Sequence, residues 1–149
     1  LYLAVVLDLF SRQVIGWSMK PQMTTDLAID ALLMAVWRRK PQQEVMIHSD
    51  QGSQFSSDAF TGLLQRHRIR ISMAGKGAWR DTVLVERLWR SIKYEEIYLK
   101  AYDSVRAARC GIAEYLEFYN SERPHQAHNQ ATPDEAYFAA LPFAQMQAA

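Results

Sequence analysis

Apolar positions along this chain switch repeatedly between continuous runs, period-two alternation and helical spacing, and those switches divide it into elements. Leu1–Leu7 and Val14–Met19 are β-prone apolar runs, and the residues Asp8-Leu9-Phe10-Ser11-Arg12-Gln13 between them give the spacing of a hairpin with a short loop. A run such as Leu1–Leu7, with no cap or polar approach before it, is usual for an interior strand. The chain therefore reads as a piece of something longer, cut just before or inside a sheet. Thr24 or Thr25 caps a helix in which Leu27, Ala28, Ala31, Leu32, Ala35 and Val36 form an apolar stripe. Arg38, Arg39 and Lys40 suit the negative end of its dipole, and Pro41 stops it.

Glu44–Ile47 reads as a short strand ending at His48-Ser49-Asp50. Ser56 or Ser57 caps the next helix, with Phe60, Leu63, Leu64 and His67 on one face, and Ile69–Met73 alternates as another strand. After Ala74-Gly75-Lys76-Gly77, a helix from about Asp81 presents Val85, Leu88, Trp89 and Ile92 as its buried stripe. Glu86, Arg90, Lys93 and Ile97 share a neighbouring face. A helix from Ser104 to about Tyr119 buries Val105, Ala108, Ile112, Tyr115, Leu116 and Tyr119. A polar tail broken by Pro124 and Pro133 then leads to a short Asp134–Ala140 segment. The order of elements predicts a mixed sheet with helices against it, an α/β or α+β layer fold. Trp17, Trp37 and Trp89 are expected in the core.

Composition changes this picture little. The 149 residues are 49% hydrophobic and 22% charged, enough for one core without a metal or disulfide. The lone Cys110 points to a reducing compartment. With no bilayer-length apolar run and no leader pattern, a cytoplasmic location is expected, with no membrane partner. Charge changes the picture more. The net charge is +1, yet residues 66–100 hold nine basic against four acidic side chains. A local basic zone on a near-neutral chain suits a polyanion, although charge runs are more often solvated helix faces.

The candidate chemistry lies at two carboxylates. Asp50 ends a predicted strand, where a rigid carboxylate suits a hard cation such as Mg²⁺. Glu86 is the second, set among Lys76, Arg80, Arg90 and Lys93. Anionic metal ligands ringed by phosphate-binding cations suit phosphodiester chemistry. The plainer readings are a turn or cap at Asp50 and an ordinary i, i+4 pair of Glu86 with Arg90. His125-x-x-His128 has the spacing of half a zinc site but lacks a Cys pair or further His.

Several motifs in order carry a resemblance. They are Tyr2–Arg12, His48-Ser49-Asp50-Gln51-Gly52-Ser53-Gln54-Phe55, Asp81, Val85–Glu96, Phe118-Tyr119-Asn120 and Arg123-Pro124-His125-Gln126, with 35 residues between Asp50 and Glu86. Together they closely resemble the integrase-like core of insertion-sequence transposases of the IS-three family, the product of the second reading frame. The resemblance implies an RNase H-like mixed sheet flanked by helices over 1–119, a C-terminal tail over 120–149, and DDE chemistry with two Mg²⁺ ions, or Mn²⁺ in their place. It implies that Asp50 is the second acid and Glu86 the third. Lys93 matches a lysine that contacts transposon-end DNA, with Arg90, Lys76 and Arg80 as further DNA contacts. The implied partners are transposon-end and target DNA and further copies of the transposase.

The same resemblance places the family's first aspartate on a strand before this segment. Asp8 is then a turn residue, and the first strand and first acid are missing. Thr82, Glu122 and His128 depart from the family pattern beside Glu86, before Arg123 and in the tail. Two readings follow: the core of an enzyme for Mg²⁺-dependent cleavage and strand transfer, inactive as this fragment, or a non-catalytic remnant that binds DNA or full-length transposase.

Overall fold

The computed structural model describes residues 1–41, 43–49, 53–73 and 79–140, without the side chains of residues 73, 79–82 and 140. Its contacts divide the chain into two compact units, Leu1–Leu7 with Ile15–Arg87, and Asp8–Val14 with Leu88–Ala149.

In the first unit, strands β1 (Tyr2–Leu7) and β2 (Val14–Lys20) pair with each other. Helix α1 (Thr25–Arg39) buries Leu27, Ala28, Ala31, Leu32 and Ala35. Its alanines allow close approach to β2: a Cβ on Gly16 would lie 2.2 Å from the Ala31 carbonyl oxygen and 2.9 Å from the Ala35 nitrogen. Only glycine fits at that crossing. The guanidinium of Arg38 lies 4.6 Å from the Trp17 ring centroid, and Lys20 pairs with Asp30 at 2.8 Å. Lys40 takes a left-handed conformation and donates its N–H to the Val36 carbonyl, which ends the helix just before Pro41. Thr24 is the N-cap residue by position, but its side chain makes no capping hydrogen bond. Trp37, expected in the core, is exposed, because it falls off the alanine-leucine stripe that faces inward.

Strand β3 (Val45–Ser49) pairs in parallel with β4 (Ile69–Met73), with Val45 opposite Ile69 and Ser49 opposite Met73. The crossover between them carries α2 (Ser53–Ser56) and α3 (Asp58–Arg66), the latter capped by the Ser57 hydroxyl, which accepts from the Phe60 N–H. Ala28 and Leu32 of α1, Phe60, Leu63 and Leu64 of α3, and Ile69 of β4 form one buried cluster. His67 does not join that face. The helix ends at Arg66, and His67 caps it, exposed, before Arg68 turns into the left-handed region. Instead of one mixed sheet, the described strands form two separate two-stranded ladders, β1–β2 and β3–β4.

Helix α4 (Trp79–Ile92) buries Leu88 and Ile92 and continues into a π-helical segment, Lys93–Ile97, where the Tyr98 N–H donates to the Lys93 carbonyl at 2.8 Å. That wider turn delays the return of Ile97 to the Glu86 face, so the face expected from α-helical spacing ends at Lys93.

In the second unit, α5 (Val105–Ser121) starts from the Ser104 hydroxyl and buries Ile112, Tyr115, Leu116, Tyr119 and Asn120. Val105 is exposed, because it occupies the first turn, ahead of the inward stripe. Helix α6 (Pro133–Ala140) opens with a reciprocal capping box: Glu135 accepts from the Thr132 N–H, and Thr132 accepts from the Glu135 N–H, each at 3.2 Å. The Asp8–Val14 turn is anchored to this part of the chain. Asp8 accepts from the Ser11 N–H at 3.0 Å, as expected of a turn residue. His128 Nε2 donates to the Ser11 carbonyl at 2.8 Å. The buried Asn120 amide accepts from the Val14 N–H at 2.7 Å and donates to the Val14 carbonyl at 2.9 Å, acting as one residue of a strand partner.

Candidate functional site

Strand β3 ends at Ser49, immediately before Asp50. Its parallel register with β4 holds this C-terminal end in place, where α/β sheets characteristically present their reactive groups. Asp50 itself and Lys76 lie outside the described residues, as does the side chain of Arg80, which is placed only as a member of α4.

Glu86 lies mid-way along α4, exposed, with no hydrogen bond or ion pair among the described residues. The expected pair with Arg90 is therefore not formed. Arg90, one turn on, is exposed and directs its guanidinium at the Tyr94 ring, 5.6 Å from the centroid. Lys93 is exposed at the first position of the π-helical segment. A lone carboxylate followed at i+4 and i+7 by cations leaves an oxygen donor free for a hard cation and positive charge free for an anion. Among the described residues no group of three or more His, Cys, Asp or Glu is placed to hold a metal ion.

The next two acids of the same run behave differently. The Arg123 side chain grips Glu95 with a forked set of bonds, Nε to Oε2 at 2.9 Å and Nη2 to Oε1 at 2.6 Å, and the Tyr115 hydroxyl donates to Glu95 Oε2 at 2.6 Å. The hydrogen bonds from Arg123 hold the Glu95 carboxyl below its ordinary range, against the opposing effect of partial burial. Burial, then the bond to Glu95, pushes the Tyr115 phenol up. Glu96 is buried, bonded by the Tyr102 hydroxyl and paired with Lys100 at 3.1 Å.

Two further expectations resolve here. Arg123 of the tail motif is a structural partner of Glu95. His125 and His128 have ring centroids 6.2 Å apart and separate jobs: His125 packs edge-on to Tyr119 at 4.7 Å, while His128 holds the Ser11 carbonyl. The His125 ring is held neutral, its pKa pushed down to about 4 by burial first and by the Arg123 charge second.

Comparison with known proteins now decides the family. A family model described as an integrase core domain matches residues 1–78, just over half of the chain, and a second model of the same description matches residues 67–133. The chain belongs to the integrase core domain family. This integrase core is 44% identical over 136 residues to the transposase InsF for insertion sequence IS3A of Escherichia coli (strain K12), a match covering 91% of this chain and 47% of that protein. It therefore spans about half the length of the curated relatives it matches. Its α/β fold resembles the catalytic core domain of BIV integrase, with a TM-score of 0.73 at 21% identity over 93% of this chain and 86% of that one. The HTLV-2 integrase catalytic core domain, solved in complex with magnesium in a trimeric form, aligns with a TM-score of 0.69 at 25% identity, covering 90% of this chain and 82% of that one. The expected α/β fold of the integrase-core type and the similarity to insertion-sequence transposases both hold. Among the described residues, no helix is long and apolar enough to cross a membrane.

Proposed function

We propose that this integrase core serves DNA transposition, cleaving and joining phosphodiesters at insertion-sequence ends, with residues 1–119 as the catalytic core and 120–149 as its tail. The observation that carries the proposal is the state of Glu86: an exposed carboxylate with no partner among the described residues, followed at i+4 and i+7 by the exposed cations Arg90 and Lys93. The donor chemistry fits magnesium, since carboxylate oxygens are the hard ligands it prefers, and a magnesium complex is known for the HTLV-2 core. Asp50 and Glu86 are the residues that would hold it. When bound, the ion supplies Lewis acidity at the phosphodiester and lowers the pKa of a nucleophilic water. Arg90 and Lys93, with Lys76 and Arg80, bind and orient the DNA backbone.

The two separate ladders support one more inference, that a strand from outside these 149 residues pairs with them and brings the first acid. Among the described residues each ladder has open edges, and Val45 and Met46 of β3 and Tyr2 of β1 are exposed. Open edges of apolar ladders are templates for pairing.

The test uses a transposase chain that contains this core. Asp50→Asn and Glu86→Gln lose Mg²⁺-dependent cleavage, whereas Asp8→Asn keeps it. Loss with Asp8→Asn alone overturns the assignment.

A further inference from the structure

The surface just beyond Glu86 carries more than charge. Tyr94 and Tyr98 are 60% and 63% exposed, large aromatic areas left in water, and their rings meet edge to face at 5.2 Å. The Arg90 guanidinium sits 5.6 Å from the Tyr94 centroid, and Lys93 is exposed beside them in sequence with no partner among the described residues. In the sequence this aromatic pair is interrupted by Glu95 and Glu96, which would repel a polyanion. In the folded unit both acids are paired: Glu95, although exposed, is held in the fork of Arg123, and Glu96 lies in a buried contact with Tyr102 and Lys100. Beside the neutralised acids, Arg90, Lys93 and the two tyrosines stand exposed.

We infer that Arg90, Lys93, Tyr94 and Tyr98 form a stacking platform for unpaired nucleotides of the DNA strand being processed. The inference rests on the proposed role of this core in DNA transposition and names the form of DNA it takes. Cations give affinity for any phosphate chain, but they do not require tyrosines. Exposed aromatic rings beside cations match single-stranded nucleic acid, whose bases are free to stack, and not a closed duplex, whose base faces are covered. The Arg90–Tyr94 contact also holds the first ring in place before DNA arrives.

The test compares two DNA probes on the 149-residue chain: a blunt duplex, and the same duplex with a short 3′ overhang carrying 2-aminopurine. The overhang probe is expected to bind roughly tenfold tighter, the scale of one stacked base, with its fluorescence quenched. The double substitution Tyr94→Ala, Tyr98→Ala removes the preference and the quenching but leaves blunt-duplex affinity, its salt dependence and the thermal midpoint unchanged. Tyr94→Phe with Tyr98→Phe keeps the preference, because the rings remain. Equal binding of both probes by the parent chain, or an undiminished preference in the double alanine variant, overturns the platform. If the alanine variant alters sedimentation and not overhang preference, the rings are a self-association surface and the inference fails. If neither probe binds the parent in a salt-dependent way, the transposition reading fails with it.

Discussion

Glu86 and Glu95 lie nine residues apart on one helical run and have opposite surroundings. Glu86 is exposed and unpartnered among the described residues, whereas Glu95 receives hydrogen bonds from both Arg123 and Tyr115. Saturating a carboxylate with donors lowers its pKa and stabilises the fold, but leaves no lone pair for a cation or a reacting group. An open carboxylate contributes little to stability and keeps its donor capacity. The difference separates a structural acid from a candidate catalytic one where residue type and spacing do not.

The sharpest way to break this comparison is exchange of the two acids for their amides. In a transposase chain containing this core, Glu86→Gln is expected to lower Mg²⁺-dependent cleavage by about 10²–10³-fold, the effect of losing one preorganised group that stabilises transition-state charge. Its unfolding midpoint should shift by no more than about 0.5 kcal/mol equivalent. A Glu86→Gln variant with full cleavage would falsify the contrast. In the second unit the largest stability effect is expected from Asn120→Ala, which strands the buried N–H and carbonyl of Val14 at ~1–3 kcal/mol each. Chemical denaturation measures it, and a loss under about 0.5 kcal/mol would mean the strand-like pairing contributes nothing.

Arg123→Ala comes next. It removes the Glu95 fork, and since that pair is partly solvated the expected loss is about 1–2 kcal/mol, discounted from a buried charged hydrogen bond. A loss of DNA affinity without a loss of stability would instead make Arg123 a DNA contact. The pH dependence follows in size. Because His125 has its folded pKa lowered to about 4, the unfolded chain takes up a proton below about 6.5 that the folded chain refuses. Stability therefore falls as pH drops from about 6.5 toward 4. The groups acting on this ring are Arg123, His128 and Arg12, which keep it neutral, and Glu95, which opposes them. Glu95, with a lowered pKa, contributes stability above its unfolded value and loses it at still lower pH. Thermal midpoints between pH 7 and 5 should flatten in His125→Phe but not in Glu95→Gln. The smallest effects are expected at Arg90→Ala and Lys93→Ala, each reducing the slope of log affinity against log salt by about one without affecting stability.

Much of the fold was legible because its signals are local. The alanine stripe of α1, the Ser57 and Ser104 caps and the Leu88–Ile92 stripe each depend on residues within a few positions of one another. The failures are departures from local pattern. Trp37 is expected in the core by residue type, and the face that α1 buries leaves it in water; Val105 is expected there as part of the α5 stripe, and the first turn of the helix leaves it exposed. His67 was placed there by helical period, and the helix ends one residue before it. Of the candidate site, spacing accounts for the shared exposure of Glu86, Arg90 and Lys93 along one helical run, while Asp50 and Lys76 lie outside the described residues. The tyrosine pair and the pairing of Glu95 and Glu96 were not legible in this way, since a π-helical turn has no period that α-helical counting detects.

By itself, the sequence determined the order of elements, the two carboxylates worth weighing and the family, because periodicity and motif spacing are properties of neighbouring residues. Only the tertiary structure decided which acid of the α4 run is open. Glu95 depends on Tyr115 and Arg123, 20 and 28 residues away, and no local pattern encodes a bond across that distance. The same holds for Asn120, which reaches back 106 residues to pair with Val14. Hydrogen-bond satisfaction depends on what the completed fold brings within about 3 Å, so it is settled only when the whole chain has packed.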